Sequence, residues 1–549
     1  MTSGQPSRTT AGVVAVVVPA VVMLAAGLWG LDRGGMWGDE SVTFLVAWRT
    51  VPQIWRLVHE VDAVHGLYYL FMHAVLPVHP GEVVLRLPSV CAAAATAALV
   101  AALGVRLARP RVGLWAGLLY AVTPLTGHYA QEGRSYALVA AGVAGATLLL
   151  VRAMDGGPGR PGAVWWPYGC VLAVTCLLHE LAVLAVCAHA ATLALARVPR
   201  AVWSGWARAV GVAGVVLLPL VWVSQGQSGQ VGWLVAPGWD RVERLVRSLF
   251  AGPTGAVFWV SVLLLVGGLG ARRVAVVACP LLVLPPVILM GVSQVRPLYH
   301  DRYVLYALAG APLLVAAGAE RVVAGVGRLR ELRPGARRPP RRRPPCRRLP
   351  YRRPVVVLAG VLAVAFAFLQ SFALHLDDRS PDHRPDNLAA VADLAARRVR
   401  PGDPVLFLPS VGRLAALTYP RGFRRTWDIA LEESGSRSGT LWGRETGPGE
   451  LRRRLASVDR VWVVAEPYAL TSRWSPGDPT ERAKLTVVKE QFSPHEEYVR
   501  RGVTLRLYLR GTPVSEPSTP SMVAPASPTP RPPMTAPVSP TVRPRPGRW

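Results

Sequence analysis

Long apolar runs separated by short polar joints dominate the chain up to about residue 375. The runs cover Ala11–Leu31, Val83–Val105, Val112–Leu125, Ser135–Val151, Val164–Leu178, Leu181–Ala196, Trp203–Val223, Thr254–Leu269, Val274–Met290, Tyr303–Ala319 and Val355–Leu374. Many of them approach the roughly 20 residues with which an α-helix crosses a bilayer. The pattern therefore predicts an α-helical polytopic membrane protein with about eleven to twelve transmembrane helices. The stretch Leu67–Val78 reads either as the twelfth or as a helix lying in the interface. The first run is too long for the core of a signal peptide and reads as an uncleaved helix.

Beyond Leu374 the pattern changes. Leu388, Val391, Leu394 and Ala395 share one face of a helix predicted over Asp386–Arg400, and Pro401-Gly402 stops it. Pro404–Leu408, Arg460–Ala465 and Val503–Leu509 read as strands, with a helix over Gly449–Ser457. A membrane domain at 1–376 is thus followed by a small α/β domain at 377–510, which either recognises a substrate or only packs on the membrane half. The tail at 511–549 is rich in Pro, Ser and Thr and reads as disordered.

Charge supplies the topology. The net charge is +28, and twelve arginines lie between Arg328 and Arg353 in a loop, 321–353, bounded by two apolar runs. That placement fits the excess of cations on cytoplasmic loops and argues against nucleic-acid binding. Arg106/Arg109/Arg111, Arg152/Arg160, Arg197/Arg200 and Arg272/Arg273 fall in alternate joints, so all can be cytoplasmic together. The N-terminus is then cytoplasmic and the C-terminal domain extracytoplasmic in a multi-pass cell-membrane protein. The cysteines indicate neither a disulfide framework nor a thiolate metal site.

With that orientation the unusual polar clusters of the membrane half collect on the outer face. The outer loop 32–82 carries Asp39-Glu40, two adjacent carboxylates at the membrane surface. They are either solvated acids of an interfacial loop or a chemical site. In the same loop, 50–60 reads as an amphipathic helix with a Thr50 cap, and Asp62 to Tyr69 is acidic and aromatic. Arg134, in Gln131-Glu132-Gly133-Arg134-Ser135-Tyr136, either snorkels or offers a planar fork to a phosphate. Arg302, in Tyr299-His300-Asp301-Arg302-Tyr303, either pairs internally with Asp301 or Glu132 or binds a ligand. His179-Glu180 begins like a zinc-protease motif, but Val183 stands where the second histidine is needed. No phosphate-binding P-loop is present, and nothing supports a nucleotide-driven mechanism.

Taken together, Asp39-Glu40, Asp62 to Tyr69, Arg86-Leu87-Pro88-Ser89, Gln131-Glu132-x-Arg134-x-Tyr136 and Arg302-Tyr303 resemble the polytopic GT-C glycosyltransferases that use polyprenyl-phosphate sugars. The resemblance is to the branch of protein O-mannosyltransferases and aminoarabinose transferases, and covers residues 11 to about 320. It implies transfer of a mannose- or arabinose-like sugar to an extracytoplasmic hydroxyl on a glycan, lipid or protein, at the surface of the lipid bilayer. Asp39 is then the base, with Glu40 orienting it or binding acceptor. Arg134 and Arg302 bind the donor phosphate, and Asp62, His65, Tyr136 and Tyr303 contact substrate. The chain departs from the family in carrying His65-Gly66 where two prolines are usual, and in lacking Lys throughout the membrane half. A divalent metal is compatible with this chemistry, although no ligand cluster in the sequence demands one. The competing classes are a secondary transporter, whose site belongs near the membrane midplane, and a non-catalytic scaffold.

Overall fold

The computed structural model describes residues 8–156, 164–227, 229, 232, 234–331, 352–471 and 474–511. Most of the Arg-rich loop, parts of the 224–233 connector and the Pro-rich tail lie outside the described residues. Among those described, seven helices are long and apolar enough to cross a membrane, and four shorter apolar helices accompany them. The protein is a multi-pass membrane protein.

In chain order the membrane half comprises α1 (Arg8–Leu28), α2 (Gly38–Ala47), α3 (Val51–Glu60), α4 (Gly66–Val75), α5 (Glu82–Leu107), α6 (Pro110–Val122) and α7 (Pro124–Ala130). It continues with α8 (Tyr136–Asp155), α9 (Trp165–Leu178), α10 (Leu184–Ala196), α11 (Arg200–Gly226), α12 (Trp239–Ser248), α13 (Gly255–Leu269), α14 (Arg272–Val292), α15 (Gly310–Glu331) and α16 (Arg352–Asp377). The helix at 66–75 is only ten residues long and buries Tyr68, Tyr69 and Met72, so it packs inward rather than forming a full twelfth span. Small residues let helices meet closely. A Cβ added at Gly318 of α15 would lie 1.8 Å from the Leu264 carbonyl oxygen of α13, an approach only glycine permits.

The arginine-bearing joints are tied by ion pairs. Arg109 and Arg111 both reach Glu320 of α15, at 2.9 and 2.6 Å, and Arg106 reaches Asp155 at the end of α8, at 2.9 Å.

The C-terminal domain is a three-layer α/β unit. Its sheet runs β2 (Trp427–Asp428), β1 (Pro404–Leu408), β5 (Arg460–Ala465), β7 (Val503–Arg510), β6 (Phe492–Arg500), while β3 (Leu431–Glu433) and β4 (Arg444–Glu445) form a separate ribbon. Strand β1 is parallel to β2 and β5, whereas β7 is antiparallel to β5 and β6. Alternation along the strands supplies two cores. Phe407, Trp462 and Leu505 face α17 (Leu388–Arg398), and Leu406, Val461 and Val463 face helices at 448–456 and 479–491.

The domain docks through α2. Val42 and Leu45 of α2 pack against the Phe407 core, while Val46 packs with Ile54, Leu57 and Tyr69 of the membrane half. Helix α3 therefore spends Ile54 and Leu57 on protein and leaves Trp55 exposed. Its start has the expected cap, with the Gln53 side chain accepting from the Thr50 N–H at 3.0 Å. Tyr419 of the C-terminal domain accepts from the Met36 N–H at 2.6 Å and donates to Glu82 at 2.8 Å.

Candidate functional site

One cavity of about 1730 Å³ lies between the 32–82 segment, the ends of the membrane helices and the C-terminal domain. Asp39, Asp62, His65, Arg134, Arg302 and Tyr303 all line it. Residues up to 264 positions apart in sequence are thereby brought to one wall.

Asp39 sits in the first turn of α2, where helix N-termini favour anions. Its Oδ2 accepts from Arg302 Nη1 at 2.9 Å. The internal partner of Arg302 is thus Asp39, while Asp301 accepts from the Tyr299 hydroxyl at 2.8 Å. The Arg302 guanidinium stands 5.3 to 5.9 Å from the ring centroids of Tyr136, Tyr303 and Trp37, a cage that fixes a cation with few hydrogen bonds. Arg134 donates to the Thr43 hydroxyl at 3.2 Å and lies against the Asp39 carbonyl. The Nε groups of both arginines are buried and have no hydrogen-bond partner.

Glu40 is 0% exposed and absent from the cavity wall. Its two oxygens take Arg86 Nε and Nη2, both at 2.8 Å, and the Gly133 N–H at 2.9 Å. Burial pushes its carboxyl up, but the Arg86 guanidinium outweighs burial and leaves it below the usual carboxylate range. The acceptor-binding alternative for Glu40 does not fit this geometry, since every contact fixes α2 and none reaches the cavity. Arg86 spends its remaining N–H groups on the carbonyls of Leu31, Arg33, Gly34 and Gly35, at 2.9 to 3.3 Å. Tyr136 also stands behind the wall, against Arg302, His65 and His179, and is not a lining residue as the sequence predicts.

Asp62 has a left-handed backbone (φ 61°) and accepts from the Tyr69 hydroxyl. Burial raises its carboxyl, against the opposing charge of Arg134. His65 packs against Tyr69, Tyr136 and His179, with its Nδ1 buried and unpartnered. Gly66 has an ordinary helical φ of −54°, so its place in the usual proline pair needs no glycine-specific backbone.

Several wall residues are ones the sequence reading did not assign to a site: Trp37, Glu132, His179, His300, Arg384 and Asp386. Glu132 and His300 stand inside the polar clusters around Arg134 and Arg302, and His179 in the break of an apolar run, whereas nothing flags Arg384 or Asp386. Asp386, from the start of the C-terminal domain, accepts from the Gly38 N–H at 3.0 Å. Burial, with Asp39 nearby, pushes its carboxyl up to about 6. Protonation is thus favoured by folding, and ionising Asp386 costs stability. That cost grows as pH rises from about 4, the ordinary aspartate value, to about 6, and is constant above. Asp386→Asn keeps an acceptor for Gly38 and removes the titration. Thermal unfolding from pH 4 to 8 is expected to show a shallower fall in stability between pH 4 and 6 for the variant. Identical slopes would remove Asp386 as the source.

No protein-family model and no curated relative matches the chain. In fold it is similar to ArnT from Cupriavidus metallidurans. With the structure bound to undecaprenyl phosphate it shares a TM-score of 0.55 and 12% identity over 90% of this chain and 97% of that one. The apo ArnT structure gives 0.53 with the same identity and coverage. The chain has the GT-C fold, with a small sheet domain at its C-terminus.

Proposed function

We propose that this protein is a membrane glycosyltransferase that moves a sugar from a polyprenyl-phosphate donor to an acceptor hydroxyl in the cavity beside Asp39. The observation that carries the reading is the pair of buried, unpartnered guanidinium N–H groups of Arg134 and Arg302 flanking one cavity-lining carboxylate. A buried charged donor without an acceptor is costly, and a phosphate would satisfy both. The undecaprenyl phosphate bound by the ArnT of similar fold is a ligand of that chemistry.

In this mechanism the acceptor hydroxyl oxygen attacks the anomeric carbon. Its proton passes to Asp39, the anomeric carbon–oxygen bond breaks, and the electron pair leaves with the polyprenyl phosphate. The two arginines stabilise the charge that develops on the departing phosphate. Attack opposite the leaving group inverts the anomeric centre. Glu40, through Arg86 and Gly133, positions Asp39 without touching substrate. The sugar we assign is mannose- or arabinose-like. The wall supplied by the C-terminal domain, including Leu441, Trp442 and Glu466, is the side from which a glycan, lipid or protein acceptor would be held. The C-terminal domain then lies outside the cytoplasm and the Arg-rich loop inside.

The test is native mass spectrometry of the detergent-purified protein incubated with undecaprenyl phosphate. Arg302→Gln removes one charge-assisted contact, and retention is expected to fall about 10- to 100-fold. Equal retention by wild type and variant would overturn the donor assignment.

A further inference from the structure

We propose that His128, Asp378 and His383 form a Zn²⁺-class divalent cation site, open to the cavity, that ties α7 to the segment following α16. His128 lies on α7, Asp378 directly follows α16, and His383 ends a short 3-10 turn at 381–383. One ligating atom from each lies within 4.8 Å of the other two.

Two of the three edges have the length a coordination sphere requires. Asp378 Oδ1 stands 3.3 Å from His128 Nδ1 and 3.2 Å from His383 Nε2. Ligands placed about 2.0–2.1 Å from a tetrahedral zinc ion are separated by about 3.3 Å along each edge of the tetrahedron. Two imidazoles and a carboxylate are also a common donor set for zinc, with the fourth position left for water or another oxygen. All three residues line the cavity, so that position faces space rather than protein.

His383 presents Nε2 to Asp378 and Nδ1 to Asp377 Oδ2, the latter at 2.8 Å. With a cation bound, the Nε2 lone pair meets the metal and Nδ1–H donates to Asp377. A carboxylate behind a ligating histidine is the usual way a metal site fixes the tautomer and orientation of its ring.

The experiment uses the full-length protein, free of any histidine tag, in detergent. After equilibration with Zn²⁺ and removal of excess, inductively coupled plasma mass spectrometry is expected to find about one zinc per wild-type chain. His383→Ala and Asp378→Ala should lose it, and Asp377→Asn should weaken Zn²⁺ affinity about 10- to 100-fold. Chelation should lower the wild-type unfolding temperature and leave that of His383→Ala unmoved. Co²⁺ substitution supplies a second readout, since its visible bands report coordination directly and should vanish in His128→Ala. Wild type without zinc, or stoichiometric zinc and unchanged Co²⁺ bands in the ligand variants, would overturn the site. None of these readouts depends on sugar transfer, so their failure would leave the transferase reading standing, and the reverse.

Discussion

Asp39→Asn is expected to lower the rate of sugar transfer by about 10²- to 10⁴-fold while leaving donor retention close to wild type. The amide is isosteric and keeps an oxygen for Arg302 Nη1, so the 2.9 Å contact and the aromatic cage around the guanidinium survive. What the amide cannot do is accept the proton of an attacking hydroxyl. The loss should therefore fall on kcat, with little change in KM. Single-turnover transfer from a polyprenyl-phosphate sugar, run beside the lipid-retention measurement, separates the two. A variant that keeps transfer within a few-fold of wild type would remove Asp39 as the base. A variant that loses donor retention as well would make it a binding residue.

The second large effect is on folding. Arg86→Met strands the buried Glu40 carboxylate, and breaking one side of a buried pair costs about 3–5 kcal/mol. Replacing both partners with apolar residues is often harmless in other proteins. Here it should not be, because Arg86 also serves four backbone carbonyls between Leu31 and Gly35 that a methionine leaves unsatisfied. Arg86→Lys should fare little better, since an ammonium cannot span two carboxylate oxygens and those carbonyls at once. The expected result is a lowered unfolding temperature and poor monodisperse yield for Arg86→Met, for Arg86→Lys and for Arg86→Met combined with Glu40→Met. Arg86→Lys with a wild-type unfolding temperature would show that the fork geometry is not what matters.

These two adjacent acids show where sequence reasoning works and where it stops. Asp39-Glu40 stands out because two charges at a membrane edge need an explanation, yet the pair reads as one unit. Only the position of Arg86, on a helix 46 residues later, separates an acid facing the cavity from one locked in the core. Arg134 and Arg302 were legible for a related reason: guanidinium groups at the ends of apolar runs are costly and therefore conspicuous.

In the C-terminal domain, continuous apolar runs marked β1 and β5, which are buried along most of their length. Strand β6 escaped because it lies at the sheet edge, carries Pro494 and exposes most of its residues, so no period of two survives. His128, Asp378 and His383 left no local signal, because about 250 residues separate the first from the others. Asp386 was equally silent. It is an ordinary residue near a predicted helix start until the domain docks on Gly38.

The contacts around α2 also impose an order of assembly. The carbonyls of the turn at 31–35 are taken up by Arg86 of α5, so that segment is completed only by a helix made later. The opposite face of α2, and with it a wall of the cavity, waits longer still, for the helix at 414–418 and the sheet behind it, whose last core strand is β7. A ribosome-bound chain released after α16 could insert all its long apolar helices and yet lack the cavity. Protease protection of the 31–47 segment in a series of stalled chains would date that closure, which should coincide with emergence of β7.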